Sequence, residues 1–345
     1  MRPILAVLLT AAALAAQPAI RQPSLPEKHD IQQAVGNLVR AANQRDALAA
    51  KVVASPRLDV RGEGRVFDWN GVSRWSEWKS ENLAGAEVAT LIREVRMMGD
   101  DIASIDGFFR TIHWPGGEFS GDVSGTLIRK DGKWLVTSAR FAARQSDQRF
   151  ITVVPASKSS GDNWIPLIDG KSMDAFATPT GDPISPLWSI TDGALKLTPR
   201  AGVSASGLRS RETFSSFELE CEWKVPQKGN SGLKYRLFYL TRGDAAGHEY
   251  QVADDAGDRG AIADPMERAG ALYNVIAPAR AMAKPVGEFN ASRIIVRGRH
   301  VEHWLNGEKV VEYETESGPL ESPILLQNHG TEVWYRNMRI RRLTP

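Results

Sequence analysis

The rhythm of apolar and polar positions changes after the first fifty residues and again near residue 164. Within 30–50, Ile31, Val35, Leu38, Val39 and Ala42 recur at helical spacing, so the stretch predicts one amphipathic helix with Asp30 as its N-cap. After Pro56 the period shortens to two. Strand-like runs are predicted at 58–61, 87–97, 102–113 and 121–129, with a second helical segment near 71–82. Asp131-Gly132 marks a hairpin turn into Lys133-Trp134-Leu135-Val136. Residues 153–163 are rich in Ser, Gly, Pro and Asp and read as a linker. From Trp164 onward the helical period is gone. Short alternating runs between Gly, Pro and Asn/Asp signals predict an all-β sandwich or barrel. Its clearest strand spans 217–225, apolar at Phe217, Leu219, Cys221, Trp223 and Val225 and charged between them. Its clearest hairpin spans 300–313, turning at Asn306-Gly307. The predicted organisation is a domain over 27–147, a linker over 148–163, and a β domain over 164–345.

Three runs carry polar groups where a strand should bury apolar ones. Residues two apart share a strand face. Lys234 and Arg236 therefore predict one polar pair, Glu249 and Gln251 a second, and Gln327 and His329 a third, just past the apolar Ile324-Leu325-Leu326. Together they suggest one lined groove. Glu218, Glu220 and Glu222 also alternate, but opposite a strongly apolar face, and are read as a solvated outer surface.

Composition narrows the class without changing this picture. The chain has 345 residues, 42% apolar and 24% charged, with a net charge of +2. Such a balance gives no reason to invoke nucleic acid or an anionic membrane. Arg2, the apolar run 4–14 and Ala13-Leu14-Ala15 form a secretory signal over 1–16, so a periplasmic or secreted protein with no stable membrane anchor is expected. Cys221 is the only cysteine, so no intrachain disulfide forms; its place among Phe217, Leu219 and Trp223 makes it a packing residue.

Helix first, then a curved sheet closing in DGKWLVTSARF at 131–141: the first domain resembles the nuclear-transport-factor-2-like superfamily, of the SnoaL-like kind. That resemblance implies an α+β cone with one helix packed into a sheet, and a homodimer through this domain is one arrangement it allows. Trp69, Trp75, Trp78 and His113 are read as core and rim packing, and the domain as an accessory. The second domain carries, in order, WIPLIDGK at 164–171, FSSFELECEWKV, GNSGLKYR, HEYQVADD, HVEHWLNGEKVVEYE, LLQNHG and VWYRNMRIRRL. This succession resembles the 3-keto-disaccharide hydrolase family, which implies a concanavalin-A-like jelly roll and 3-keto-glycoside lyase and hydratase chemistry. Phe289 stands where the family usually has Trp, and Asn328 where Asp is common.

The chemistry so implied is C2 proton abstraction beside a C3 ketone, β-elimination of the C1 substituent, and rehydration for net hydrolysis. It needs a base, donors for the enolate oxygen and an acid for the leaving oxygen. Glu249 and His329 are the candidate base and acid, and Arg236 the candidate enolate donor. Asn230, Lys234, Gln251, Asp254, Tyr273 and Gln327 are candidate sugar-binding residues. No cofactor motif is evident, and no glycine-rich dinucleotide turn is found. A divalent cation held by carboxylate and imidazole suits a keto-alcohol, but no spacing identifies a metal site. The partner expected is a 3-keto-sugar or glycan. A non-catalytic carbohydrate-binding module is the alternative, since jelly rolls host both.

Overall fold

The computed structural model describes residues 20–62, 69–70, 85–114, 117–144, 163–240, 245–255 and 264–345. The expected signal over 1–16, the helical segment near 71–82 with Trp75 and Trp78, and all but the last residue of the expected linker lie outside the described residues.

The N-terminal domain starts with two helices, α1 (Leu25–Gln44) and α2 (Ala47–Val53), in place of the single helix that the apolar stripe predicts. Ser24, not Asp30, is the N-cap. Its hydroxyl accepts from the Glu27 amide while the Glu27 carboxylate accepts from the Ser24 amide, a reciprocal capping box with Pro26 in the first turn. Arg45 adopts the left-handed conformation that ends α1, and the Asp46 carboxylate accepts from the Leu48 and Ala49 amides to begin α2. The sheet comprises β1 (Ala54–Gly62), β2 (Trp69–Asn70), β3 (Glu87–Met97), β4 (Ile102–Ile112), β5 (Ser120–Lys130) and β6 (Lys133–Ala143), ordered β2-β1-β6-β5-β4-β3. Asp131 and Gly132, both at positive φ, make the β5–β6 turn. The apolar stripe of α1 lies against Val88, Phe109, Val123 and Leu127 of this curved sheet. This is the α+β cone. His113 lies exposed at the end of β4 rather than inside it.

The second domain is a two-sheet sandwich of the concanavalin-A-like class. Its strands are β7 (Ile165–Ile168), β8 (Phe176–Ala177), β9 (Trp188–Thr191), β10 (Ala194–Leu197), β11 (Leu208–Phe214), β12 (Phe217–Lys224), β13 (Asn230–Leu240), β14 (Ala245–Ala253), β15 (Asn290–Arg297), β16 (His300–Leu305), β17 (Glu308–Glu314), β18 (Ser322–Leu326) and β19 (Val333–Arg342). The larger sheet runs β17-β16-β15-β12-β19-β10-β9, with β7 on β19; the smaller runs β14-β13-β18-β11-β8. Between them lie Trp188, Phe217, Trp223, Tyr250, Tyr335 and their aliphatic neighbours, all nearly inaccessible. Cys221 is buried here, and burial pushes its thiol far above the ordinary range, as a packing residue requires. Glu218, Glu220 and Glu222 face outward, but solvation is not their whole account. Each pairs with an arginine of β19, and Glu218, only 3% exposed, is enclosed by Arg293 and Arg341.

Polar groups inside the sandwich form one directed chain. His303 Nδ1 lies 2.9 Å from the Gly270 carbonyl and so donates there, which leaves Nε2 to accept from the Tyr235 hydroxyl at 2.6 Å. Tyr235 in turn accepts from Tyr313 at 3.1 Å, and Tyr313 accepts from His248 Nδ1 at 2.5 Å. Every link is satisfied with both histidines neutral. Burial holds both imidazoles below their ordinary range, His303 at about 4.

The two domains are docked. Ala89, Leu91 and Ile112 of the first pack on Phe238, Tyr239, Ala246 and Leu320 of the second. Carboxylates bind across the seam in both directions: Glu316 accepts from the Thr90 amide and hydroxyl, and Glu87 accepts from Arg299 and from the Gly318 amide. The docked strand β3 thereby reaches the rim of the smaller sheet.

Candidate active site

The smaller sheet has one face in the sandwich core and one open. Its register assigns residues to each. Glu249 pairs with Lys234, Lys234 with Leu325, Leu325 with Arg209 and Arg209 with Ala177, so these five form one cross-strand row on the open face. A second row runs beside it: Gln251 opposite Gly232, and Gln327, whose amide continues the ladder by donating to the Gly232 carbonyl at 2.9 Å. The alternate residues Leu233, Tyr235, Tyr250 and Val252 go to the core. The register thus brings Lys234, Glu249, Gln251 and Gln327 to one face of the sheet. A cavity of about 750 Å³ on this side is lined by Lys234, Gln327 and His329 together with Thr180, Asp182, Ser206 and Asn328, while Glu249 and Gln251 lie buried outside its lining. That size suits a sugar-class ligand.

Gly232 lies buried beneath the Glu249 and Gln327 side chains. A Cβ there would sit 2.7 Å from Gln327 Oε1 and 2.9 Å from Glu249 Oε1, so both side chains lean over the glycine. Glu249 is 3% exposed and its carboxylate lies 3.5 Å from the Lys234 ammonium. Lys234 also donates to the Ala245 carbonyl at 2.8 Å, which fixes it. His329 stands at the exposed rim, just past β18. Its imidazole is held below the ordinary range, chiefly by burial of the ring, with the Glu249 carboxylate opposing and the Lys234 ammonium reinforcing the shift. Glu249, Lys234 and His329 are thus electrostatic neighbours on one face. Gln251 donates to Asn230 Oδ1 at 3.2 Å, and the amide oxygens of both Gln251 and Gln327 are buried without a hydrogen-bond partner among the described residues. Of these two acceptors, that of Gln327, which lines the cavity, is placed to receive a hydroxyl group.

Three expected residues are not brought in. Arg236 does not share the face of Lys234. It sits at positive φ in a bulge, where β13 spends four residues from Tyr235 to Tyr239 while β14 spends two. The bulge turns its guanidinium away, to donate to the Gly318 carbonyl at 3.0 Å and the Ser317 hydroxyl at 2.8 Å. Strict alternation does not survive a point where the ladder breaks. Asp254 lies beyond the end of β14, and its carboxylate accepts from the Lys228 amide, holding the turn that enters β13. Tyr273 sits outside both rows. Its amide donates to the Glu249 carbonyl at 2.9 Å, and its ring lies under Arg93 of the N-terminal domain.

Sequence reasoning missed Arg209 and Gly232. Arg209 joins the Glu249 row only through pairing across four strands, which no local pattern reveals; its Nε is buried without a partner among the described residues. Around β14, the Gln251 amide donates to Ala271 and the Gly270 amide to Gln251, so the 269–276 loop seals the outer edge of that strand. For a cation, the described residues bring together one trio, His300, Glu302 and Glu312. It lies on the outward face of the larger sheet, beside Lys309, and not in the groove.

Residues 163–341 match the family described as 3-keto-alpha-glucoside-1,2-lyase-like domain. The chain is similar to a 3-keto-disaccharide hydrolase from Bacteroides thetaiotaomicron, 30% identical over 229 residues, covering 53% of this chain and 79% of that protein. Among solved structures, a protein of Parabacteroides distasonis ATCC 8503 provisionally described as a glycosyl hydrolase is 26% identical, covering 53% of this chain and all of that one, with a TM-score of 0.45. A nuclear-transport-factor-2-like protein of unknown function from Shewanella oneidensis MR-1 is 18% identical, covering 33% of this chain and 96% of that one, with a TM-score of 0.28.

Proposed function

Because the chain belongs to the 3-keto-alpha-glucoside-1,2-lyase-like domain family, we propose that it is an exported enzyme that cleaves 3-keto-glycosides by elimination across C1 and C2. The observation that carries this reading is that Lys234 and His329 line one cavity, with the Glu249 carboxylate 3.5 Å from the Lys234 ammonium and acting electrostatically on His329.

The ketone at C3 acidifies the C2 hydrogen. His329, neutral because its pKa is depressed, accepts that proton as general base. The electron pair moves into an enolate whose oxygen is stabilised by the Lys234 ammonium, a fixed cation in a partly water-excluded groove. Collapse of the enolate restores the C3 carbonyl, forms the C1–C2 double bond and breaks the C1–O bond. The imidazolium of His329 then returns its proton to the departing oxygen, so one group serves as base and acid. Glu249 holds Lys234 in place, and the Gln327 amide oxygen accepts from a sugar hydroxyl. Addition of water to the enone at C1, with a proton returned to C2, completes net hydrolysis. The N-terminal signal pattern supports an activity in the periplasm or outside the cell.

The test uses His329→Ala and Glu249→Gln separately, with a 3-keto-glucoside as substrate. Enone absorbance and aglycone release are followed together. Each variant should lose roughly 100-fold or more in kcat while keeping its thermal midpoint. Full activity in both variants, or sugar binding by the wild type without turnover, would end the assignment.

A further inference from the structure

We propose that the N-terminal domain forms one wall of the substrate cleft, and that its Arg93 and Lys28 bind a carboxylate on the leaving-group side of the glycoside. The inference rests on the cleavage reading above and names the substrate class for it. A second cavity, of about 490 Å³, lies at the domain seam, lined by Lys28, Arg93, Glu94 and Phe108 from one side and Lys234, Ala245, Asp264 and Asn274 from the other. Lys234 and Ala245 also line the sugar groove, so the two hollows meet at the residue assigned to the enolate. A glycoside with its ring in the first cavity, between Lys234 and His329, and its C1 substituent directed past Lys234 would enter this second hollow.

The hollow sets Lys28, Arg93 and Lys234 against the carboxylates of Glu94 and Asp264, and Lys234 also faces Glu249. Arg93 stacks on Tyr273, 5.0 Å from the ring centroid, and forms no ion pair among the described residues. It sits where the β3–β4 register shifts between Ile92 and Glu94, an irregularity that re-aims a side chain out of the strand pattern. Lys28 is 8% exposed, and among the described residues its ammonium donates to the amide oxygen of Asn274, at 2.5 Å, and to no carboxylate. Burial pulls its pKa down, the strain an added anion would relieve. Of the acids nearby, Glu94 pairs with Arg96, whereas Asp264, whose Oδ1 accepts from the Met266 amide, acts on Lys28 and with Glu267 and Glu94 partly offsets the effect of burial there; Arg93 is a cation of the hollow with no carboxylate partner among the described residues. A flat guanidinium backed by an aromatic ring, with a second cation beside it, matches the two oxygens of a carboxylate.

The full-length protein is assayed with the 3-keto-glucosides of 4-hydroxybenzoate and of 4-cresol, a pair differing by a carboxylate in place of a methyl. Binding of the corresponding unoxidised glucosides is measured by calorimetry. The wild type should favour the carboxylate member in both kcat/KM and affinity. Arg93→Ala should cost the carboxylate member about 10- to 150-fold more than the cresol member, the span expected for a hydrogen-bonded charge. Arg93→Lys should restore part of that preference. Equal losses on both ligands, or no preference in the wild type, would overturn the proposal. If carboxylate preference in binding depends on Arg93 but neither keto-glucoside is cleaved, the subsite stands and the cleavage reading falls. If both are cleaved without preference, the cleavage reading stands and the subsite falls.

Discussion

Replacing Gly232 by alanine tests the active-site geometry without removing any functional group. The added methyl would fall 2.7 Å from Gln327 Oε1, 2.9 Å from Glu249 Oε1 and 3.0 Å from Glu249 Cγ. Ordinary van der Waals contact begins near 3.4 Å, so the first two atoms must retreat by roughly 0.7 and 0.5 Å. Both are ends of side chains, and Gly232 does not need positive φ, so the backbone has no reason to move. Strand propensity even favours alanine by about 0.5–1 kcal/mol. The fold should therefore hold, with an unchanged or slightly raised thermal midpoint. The carboxylate of Glu249 cannot retreat freely, because Lys234 is fixed between it and the Ala245 carbonyl. Displacing this pair by a large fraction of an ångström should lower kcat by roughly 30- to 100-fold, as misplacements near 1 Å do. Continuous enone absorbance with a 3-keto-glucoside, alongside calorimetry, reads both effects. A folded Gly232→Ala protein with wild-type kcat would refute the claim that the placement of Glu249 and Gln327 over Gly232 matters to the reaction.

Two further outcomes follow from the buried and half-buried histidines. His329 acts as the neutral base and its pKa is depressed, so kcat/KM should stay level as pH falls to its ordinary value of 6.5 and decline only below it; a pH–rate profile that declines already above pH 6.5 would contradict this. His303 is neutral in the fold at about 4 while the unfolded side chain titrates near 6.5, so the unfolded state binds the extra proton in that interval. Stability should accordingly fall as pH drops from 6.5 to 4, by on the order of 3 kcal/mol from this group, and urea titrations at several pH values should show the slope.

Much of the architecture was legible because turns and alternation are local. Asp131-Gly132 and Asn306-Gly307 fall on positive-φ turns, and the alternation of 217–225 divides core from surface as expected. By the same rule Glu249 and Gln251 share one face of the sheet, with Gln327 beside them. What escaped depends on non-local geometry. The bulge at Arg236 has no signature in KYRLFY, so counting by twos carried that guanidinium to the wrong face. Arg209 joins the row of Lys234 and Glu249 only through a partner of a partner across the sheet. The start of α1 escaped for a different reason: the Ser24–Glu27 box is a local signal, but Asp30 adjoined the apolar stripe and drew the assignment.

The seal that the 269–276 loop places along β14 bears on how this chain behaves among its own copies. An edge strand with free amides and carbonyls is a template for sheet growth from molecule to molecule. Here the long edge strand has the Gln251 amide and carbonyl and the Glu249 carbonyl engaged by the loop, while the opposite edge, β8, is only two residues long. Substitutions that loosen this loop should therefore show themselves first as fibrillar or amorphous precipitation, before any loss of the sugar-facing chemistry.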